Sequence, residues 1–219
     1  MNAGVIERLR RRDLPTDTIK LARYLVGKML VHDLRGRRTS GRIVETEAYP
    51  LGDAAGHAFR GETRRNASLY LARGHAYVYF VYGMYYCLNV SSERAGVGAG
   101  VLIRALEPID GIDVMKERRG SSSLRDLARG PGRLALAMAI DLRYDGVDLC
   151  TDPSLWLGVS DSEYRGVVSA TTRVGLSRER GWAWRFYERG SVFVSGPRVG
   201  VARGHLPASD RPASTKMSA

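Results

Sequence analysis

Hydrophobic and polar residues alternate with the two-residue period of β-strands in several segments of this chain, and other segments show helical spacing. Residues 14–29 carry apolar side chains at helical spacing, with Thr16 or Asp17 as the N-cap. Residues 110–119 predict a short helix, and Pro131 after Gly130 begins another. Strands are predicted at 30–34, 39–48, 101–106, 167–172, 182–187 and 192–194, and Pro108 is expected to stop the third of them.

This order of elements predicts an α+β fold. We expect a single domain over residues 1–206, with a mainly antiparallel curved β-sheet, surrounding helices and a protruding β-hairpin. No linker rich in proline, glycine and serine divides the chain. Residues 207–219 are Ser, Ala, Pro and Lys for the most part, which predicts a disordered tail.

The predicted hairpin is the most unusual stretch of the sequence. Residues 77–89 hold five of the eleven tyrosines and alternate like a strand, with one interruption at Gly83. Strand alternation places Tyr77 and Tyr79 on one face and Tyr82 on the other, at a tip that Gly83 allows to turn tightly. Aromatic stripes in strands are more often core than binding surface, so core packing is the first interpretation of this stretch.

Net charge changes that interpretation. The chain carries a formal net charge of +11, which favours polyanionic partners such as nucleic acids. No apolar run of membrane-spanning length and no signal peptide is recognisable, so we expect a cytoplasmic protein (nucleoid-associated if bacterial) that is neither secreted nor bound to a membrane. Cys87 and Cys150 lie in apolar segments and are expected to be reduced packing residues.

Two acids on one predicted strand are the strongest candidates for chemistry. Glu45 and Glu47 would point to the same side of the strand. One interpretation is a solvated face paired with arginines such as Arg42. The other is a general base that activates water, and carboxylates spaced in this way suit hydrolysis of a sugar bond with inversion. Arg104 lies on a strand otherwise suited to burial and needs a carboxylate or a phosphate as partner.

The remaining candidates are weaker. His57 lies alone in a polar loop, where a histidine is usually a surface residue. The sequence Gly130-Pro131-Gly132-Arg133 could cradle a phosphate at a helix start or could be an ordinary loop. Histidines and cysteines lack metal-ligand spacing, and neither a Ser-His-Asp order nor a nucleotide-triphosphate loop is present, so we expect no metal and no cofactor.

A basic protein with an aromatic side chain at a hairpin tip and an aromatic shelf behind it fits base flipping, in which a wedge fills the gap left by an extruded base. The sequence also resembles the alkyladenine (3-methyladenine) DNA glycosylase family, of the type without a helix-hairpin-helix motif. The resemblance covers roughly residues 13–195 in one collinear order. It is carried by segments 41–49, 77–85, 87–89 and 101–108 with His57, and extended by 130–134, 173–175 and 184–187.

The resemblance implies a role for each matching residue. Glu47 would deprotonate the water that attacks C1′ of the flipped nucleotide, and Arg104 would position that water. Asn89 would disfavour the exocyclic amino group of guanine at the pocket floor. The aromatic pocket around the base would consist of Tyr49, His57 and Tyr79. Tyr82 would intercalate, and the DNA backbone would be contacted by Arg65, Met84, Gly132 and Arg133.

The expected function is therefore that of a monofunctional glycosylase acting as a monomer on double-stranded DNA with a damaged base. Its substrates would be alkylated purines, with hypoxanthine as a further candidate. The alternatives are a non-catalytic binder of damaged DNA with the same wedge and pocket and, more distantly, an inverting glycosidase of free nucleosides. Two departures affect the loop before the hairpin, where the family commonly has Thr-Pro-Arg-Asn at 63–66 and serine at 56, and this chain has Thr-Arg-Arg-Asn and Gly56.

Overall fold

The computed structural model describes residues 5–81, 83–161, 164–176, 178–179 and 181–196. The helices are α1 (Thr18–Leu25), α2 (Ile112–Arg119) and α3 (Pro131–Ala137), with short 3₁₀ turns at Arg11–Asp13, Ala67–Tyr70, Leu124–Asp126 and Leu142–Tyr144. The strands are β1 (Ile6–Arg8), β2 (Met29–Leu34), β3 (Arg37–Tyr49), β4 (Ala76–Val81), β5 (Tyr85–Ser91), β6 (Gly100–Asp110), β7 (Leu155–Ser160), β8 (Val168–Thr171) and β9 (Arg185–Glu188). The predicted tail at 207–219 and the predicted wedge Tyr82 lie outside the described residues.

One antiparallel sheet organises the described part of the chain. Its strand order is β1-β7-β2-β3-β6-β5-β4, and β9 pairs with both β3 and β8. The predicted α+β class with a mainly antiparallel sheet is confirmed. Strand β3 is the longest at 13 residues and pairs with β2, β6 and β9, so side chains on β3 can be fixed from several directions.

Helix α1 packs its apolar face onto this sheet. Asp17 caps it by accepting a hydrogen bond from the backbone N–H of Lys20 at 2.7 Å. The helix buries Leu21, Ala22 and Leu25 and is shorter than the predicted 14–29. The Thr46 hydroxyl donates to the Ala22 carbonyl at 2.7 Å, which ties the helix to the central strand.

Some predicted strand limits are wrong. Strand β6 continues through Pro108 to Asp110, because a register shift between Ser40 and Gly41 accommodates the residue without an N–H donor. The predicted strand at 192–194 does not form, and that segment is a turn. Strands β1 and β7 were not predicted, and they pair with each other at the edge of the sheet.

The N-terminal segment, for which the sequence suggested no role, anchors this edge. Arg8 donates to the Asp152 carbonyl at 2.7 Å, and Arg11 forms an ion pair with Asp148 at 2.5 Å. Cys150 beside it is a free, buried thiol, and so is Cys87 on β5. No helix within the described ranges is long and apolar enough to cross a membrane.

The predicted hairpin is present. Strands β4 and β5 pair in register from Ala76 opposite Val90 to Val81 opposite Tyr85. Gly83 has a φ of 68°, the left-handed conformation that the tight turn requires. Beyond the sheet, the hairpin end exposes apolar side chains, of which Met84 is 64% exposed. The described turn residues Gly83 and Met84 are thus exposed to solvent.

Candidate active site

A β-bulge brings the candidate arginine to the candidate carboxylates. Across β3 and β6, Glu45 lies opposite Ala105 and Thr46 lies opposite Ile103, so Arg104 has no residue opposite it. Bulges of this kind redirect a side chain. The Arg104 guanidinium contacts both acids, with Nε 2.9 Å from Glu45 Oε1 and Nη1 3.2 Å from Glu47 Oε2.

The interpretation of this pair as a solvated face is wrong. Glu45 and Glu47 are both 0% exposed, and Arg104 is 8% exposed. Arg42, the partner suggested for a solvated pair, binds Glu107 and Glu188 instead. Burial alone would lower the pKa of Arg104, but the neighbouring charges of Glu47 and Glu45 outweigh it and raise that pKa. The three groups therefore form a buried, charged cluster.

Glu45 is surrounded by donors. In addition to Arg104, it accepts from Arg185 Nε at 2.6 Å, from the Ser195 N–H at 2.6 Å and from the Ser195 hydroxyl at 3.0 Å. Arg104 Nη2 in turn donates to the Ser195 hydroxyl at 3.1 Å. These bonds occupy Glu45 as a structural anion that holds Arg104 in place.

Glu47 has fewer partners and lies at the end of β3 near the cavity described below. Its Oε1 accepts from the backbone N–H of Val174 at 2.7 Å, and its Oε2 accepts from the Tyr49 hydroxyl at 2.8 Å. Together with Arg104, these contacts fix the carboxylate. Glu47 does not itself line the cavity, whereas Tyr49, Arg104 and Val174 do.

An aromatic cavity of about 260 Å³ opens beside this cluster. The His57 and Tyr79 ring centroids are 4.4 Å apart at 67°, and Tyr77 stacks on Tyr79 at 5.4 Å and 28°. Drug-sized ligands occupy pockets of roughly 300–1,000 Å³, so this volume suits one planar ring system. The wall and floor side chains that matter here are Tyr49, His57, Tyr77, Tyr79, Cys87, Asn89 and Arg104.

Three tyrosines and one histidine of the cavity wall are held neutral. Burial raises the pKa of Tyr77 to about 12. Burial also raises the pKa of Tyr49, and the adjacent Glu47 charge adds to that rise. Burial of Tyr79 raises its pKa, with a smaller effect from Cys87. The pKa of His57 is lowered by burial and then by Arg65, so its imidazole is neutral at pH 7.

Asn89 also lines the cavity. It is 6% exposed, and its amide Nδ2 donates to the Tyr77 carbonyl on the paired strand at 3.3 Å. Tyr77 also reaches His57, since its hydroxyl lies 2.8 Å from His57 Nδ1. The sequence had left Tyr77 as ordinary packing, although its position two residues before Tyr79 indicated the same face.

The buried side chain of Asn66 holds the loop before the hairpin together through hydrogen bonds to its backbone. Its Oδ1 accepts from the Thr63 N–H at 2.6 Å, and its Nδ2 donates to the His57 carbonyl at 2.9 Å. This clamp holds His57 in the cavity wall despite the departures at 56 and 64. Arg65, exposed beside it, donates to the Phe80 carbonyl of the hairpin at 3.1 Å.

The remaining backbone-contact candidates lie by the hairpin and the start of α3. Gly132 packs so closely on Tyr85 that a Cβ would come within 2.9 Å of its ring. Arg133 is exposed and lies 3.3 Å from Asp126. With Met84, these residues border the same hairpin, and Pro131 lines the cavity. Among the residues that the structure describes, no group of three or more His, Cys, Asp and Glu side chains is arranged to hold a metal ion.

Two contributors to the site were not predicted. Val174 fixes Glu47 through its backbone N–H, and Arg173 lies over the Tyr49 ring at 4.6 Å from its centroid. The only indication of these two residues in the sequence was that segment 173–175 extends the resemblance to the glycosylase family. Fold and site together define an α+β protein with an aromatic pocket for a planar ring beside a buried carboxylate–arginine cluster.

Comparison with known proteins identifies the family. Residues 12–192 match the sequence model of methylpurine-DNA glycosylase (MPG). A protein from Mesorhizobium japonicum is 60% identical over 188 residues, which cover 86% of this chain and 90% of the relative. A protein from Paraburkholderia phytofirmans is 56% identical over 192 residues, which cover 87% of this chain and 89% of that relative. A protein from Carboxydothermus hydrogenoformans is 41% identical over 187 residues, which cover 85% of this chain and 98% of that relative.

All three relatives are provisionally named 3-methyladenine DNA glycosylases. The chain belongs to the methylpurine-DNA glycosylase family. It is accordingly a member of a family of DNA-repair hydrolases, as the resemblance in its sequence indicated.

Proposed function

We propose that this protein excises alkylated purines from double-stranded DNA by flipping the damaged nucleotide and hydrolysing its N-glycosidic bond, which leaves an abasic site. The observation that carries the proposal is the aromatic cavity beside the Glu47–Arg104 cluster. A net charge of +11 supports a polyanionic substrate. We further propose that the protein acts as a monomer, without a cofactor.

Recognition in this proposal rests on charge. Alkylation at N3 or N7 makes a purine cationic, and electron-rich ring faces attract cations. Tyr49 and Tyr79 retain their protons because burial raises both pKa values, and His57 is neutral because burial lowers its pKa. A neutral histidine avoids repulsion of a cationic base. The cavity would therefore bind the alkylated purine more strongly than the neutral parent base.

Hydrolysis would use Glu47 as the general base. Each carboxylate oxygen has two lone pairs, and from the described residues Oε1 accepts only the Val174 N–H, so one lone pair can accept a proton from water. Arg104 lines the cavity and would orient that water. The carboxylate would also stabilise the oxocarbenium-like sugar in the transition state. The leaving group is already activated by its positive charge, so the proposal requires no general acid for cationic bases.

Selectivity against normal guanine would come from Asn89. Its amide is fixed to the Tyr77 carbonyl, so it cannot move freely away from a bulky substituent. A 2-amino group at that position would meet the amide at the cavity floor. Tyr82 would fill the gap left by the extruded nucleotide, while Arg65, Met84, Gly132 and Arg133 would contact the flanking backbone.

Base release from defined duplexes tests the proposal. Duplexes carrying 3-methyladenine, hypoxanthine or 1,N6-ethenoadenine are incubated with enzyme in excess, and the free base is separated and quantified. Release of 3-methyladenine with an abasic site left in the strand is the expected result. Tight binding of lesion duplexes without any base release would favour the non-catalytic damaged-DNA binder instead. Release from free nucleosides but not from duplexes would favour the free-nucleoside glycosidase.

A further inference from the structure

A buried ion pair lies behind the Tyr49 ring and has no part in the mechanism above. Arg173 Nη2 donates to Asp53 Oδ1 at 3.0 Å, and Nη1 donates to Asp53 Oδ2 as well as to the Ala48 carbonyl at 2.9 Å. Both side chains are fully buried. Breaking a buried pair leaves an uncompensated charge, so this pair is fixed in the folded protein.

Only one residue of the pair belongs to the cavity lining. The Arg173 guanidinium lies between two rings, 4.6 Å from the Tyr49 centroid and 5.0 Å from the Trp184 centroid. Arg173 does not line the cavity, whereas Tyr49 and Asp53 do. The guanidinium therefore lies against the Tyr49 ring, and Asp53 is the member of the pair that belongs to the cavity lining.

This arrangement has an electrostatic consequence for any base stacked on Tyr49. An unpaired guanidinium behind the ring would withdraw π-electron density and repel a cationic base on the other face. Asp53 pairs with that guanidinium through both carboxylate oxygens and so offsets the repulsion. We propose that Asp53, held by Arg173, sets the preference of the pocket for cationic over neutral bases. This inference rests on the proposed excision of alkylated purines.

The size of the effect follows from Coulomb's law. Removing one charge about 10 Å from a cationic base, at an effective dielectric constant of about 20, changes its binding on the order of tenfold. A neutral base experiences little of this change. Asp53→Asn should therefore lower the ratio of excision rates for a cationic and a neutral base by about tenfold.

The test compares single-turnover excision of 3-methyladenine and hypoxanthine from matched duplexes. Asp53→Asn should lower the rate ratio, and the double variant Asp53→Asn with Arg173→Gln should restore it to within about threefold of wild type. Arg173→Gln alone, which removes the cation, should keep the ratio at or above wild type. Since each ratio compares two substrates on one preparation, loss of folded protein cancels. If hypoxanthine is not released, single-turnover excision of 1,N6-ethenoadenine, also a neutral base, takes its place in the ratio.

A matched control exists on β2. Asp33 accepts two hydrogen bonds from Arg38, at 2.7 and 2.9 Å, away from the cavity lining, so Asp33→Asn should leave the ratio unchanged. The inference is overturned if Asp53→Asn leaves the ratio unchanged, if the control lowers it equally, or if Arg173→Gln lowers it. In each of these cases, base release by the wild type would still uphold the proposed function. Absence of base release by the wild type from every duplex would overturn both.

Discussion

Replacing Glu47 with glutamine isolates the proposed general base with the smallest change of shape. The carboxylate accepts from Val174 N–H at 2.7 Å and from the Tyr49 hydroxyl at 2.8 Å, and contacts Arg104 Nη1 at 3.2 Å. A glutamine can place its oxygen toward Val174 or toward Arg104, but not both. In either orientation a donor faces a donor in a buried setting. The substitution therefore has a cost in stability as well as in chemistry.

The two costs have different magnitudes. A buried donor left without an acceptor costs about 1–3 kcal/mol, or a shift in Tm of roughly 2–4 °C per kcal/mol for a chain of this length. Loss of a general base slows the chemical step by about 10²–10⁴-fold. Affinity for a lesion duplex should stay near wild type, because Tyr49, His57 and Tyr79 are unchanged. Rate loss without affinity loss is thus the expected signature.

Single-turnover excision of 3-methyladenine, duplex affinity and thermal melting measure these three quantities. Glu107→Gln is the matched control, since it removes a carboxylate that pairs with Arg42 on the neighbouring strand and does not line the cavity. Its excision rate should stay within a few-fold of wild type. Excision by Glu47→Gln at a near-normal rate would refute the assignment of the base. Equal losses of rate in both variants would attribute the effect to general destabilisation.

Three further predictions use other parts of the structure. Burial lowers the pKa of His32 in the folded state, so the unfolded state binds more protons and the free energy of unfolding should fall as pH drops through about 6.5. His32→Gln should flatten that dependence in urea melts between pH 7.5 and 5, and an equally steep curve would contradict this. Gly132→Ala should cost about 1–3 kcal/mol by overpacking against the hairpin ring, whereas Gly181→Ala, where a Cβ meets nothing within 4 Å, should cost little in the same denaturation assay. Arg133→Gln should reduce the slope of log Kd against log salt by about 1 if Arg133 binds a phosphate, and the control Arg37→Gln at the far end of β3 should not.

The fold was predictable where one local pattern dominates. Alternation identified β3 and the hairpin, and Gly83 marked the turn that its φ of 68° confirms. Prediction failed where pairing partners decide the outcome. Pro108 remains in β6 because a bulge absorbs it, and β7 depends on partners from β1 and β2 that are distant in sequence. Local propensity carries no information about such pairing.

The site also has residues that the sequence predicted and residues that it missed. Resemblance to a family indicated Tyr49, His57 and Tyr79, and the structure places all three on one cavity. Val174 and Arg173 were missed because their partners Glu47 and Ala48 lie 127 and 125 positions earlier in the chain. A backbone N–H is present at every non-proline residue, so its use as a donor leaves no trace in composition or spacing.

Glu45 and Glu47 illustrate what the structure adds to the choice of a general base. Both acids are fully buried, both contact Arg104, and alternation places them on the same side of β3, so neither burial nor the shared cation distinguishes them. Their other partners do. Glu45 accepts from Arg185 and twice from Ser195, and neither of these residues lines the cavity. Glu47 is held by Tyr49 and Val174, both of which line the cavity, and this placement favours Glu47 as the proposed general base.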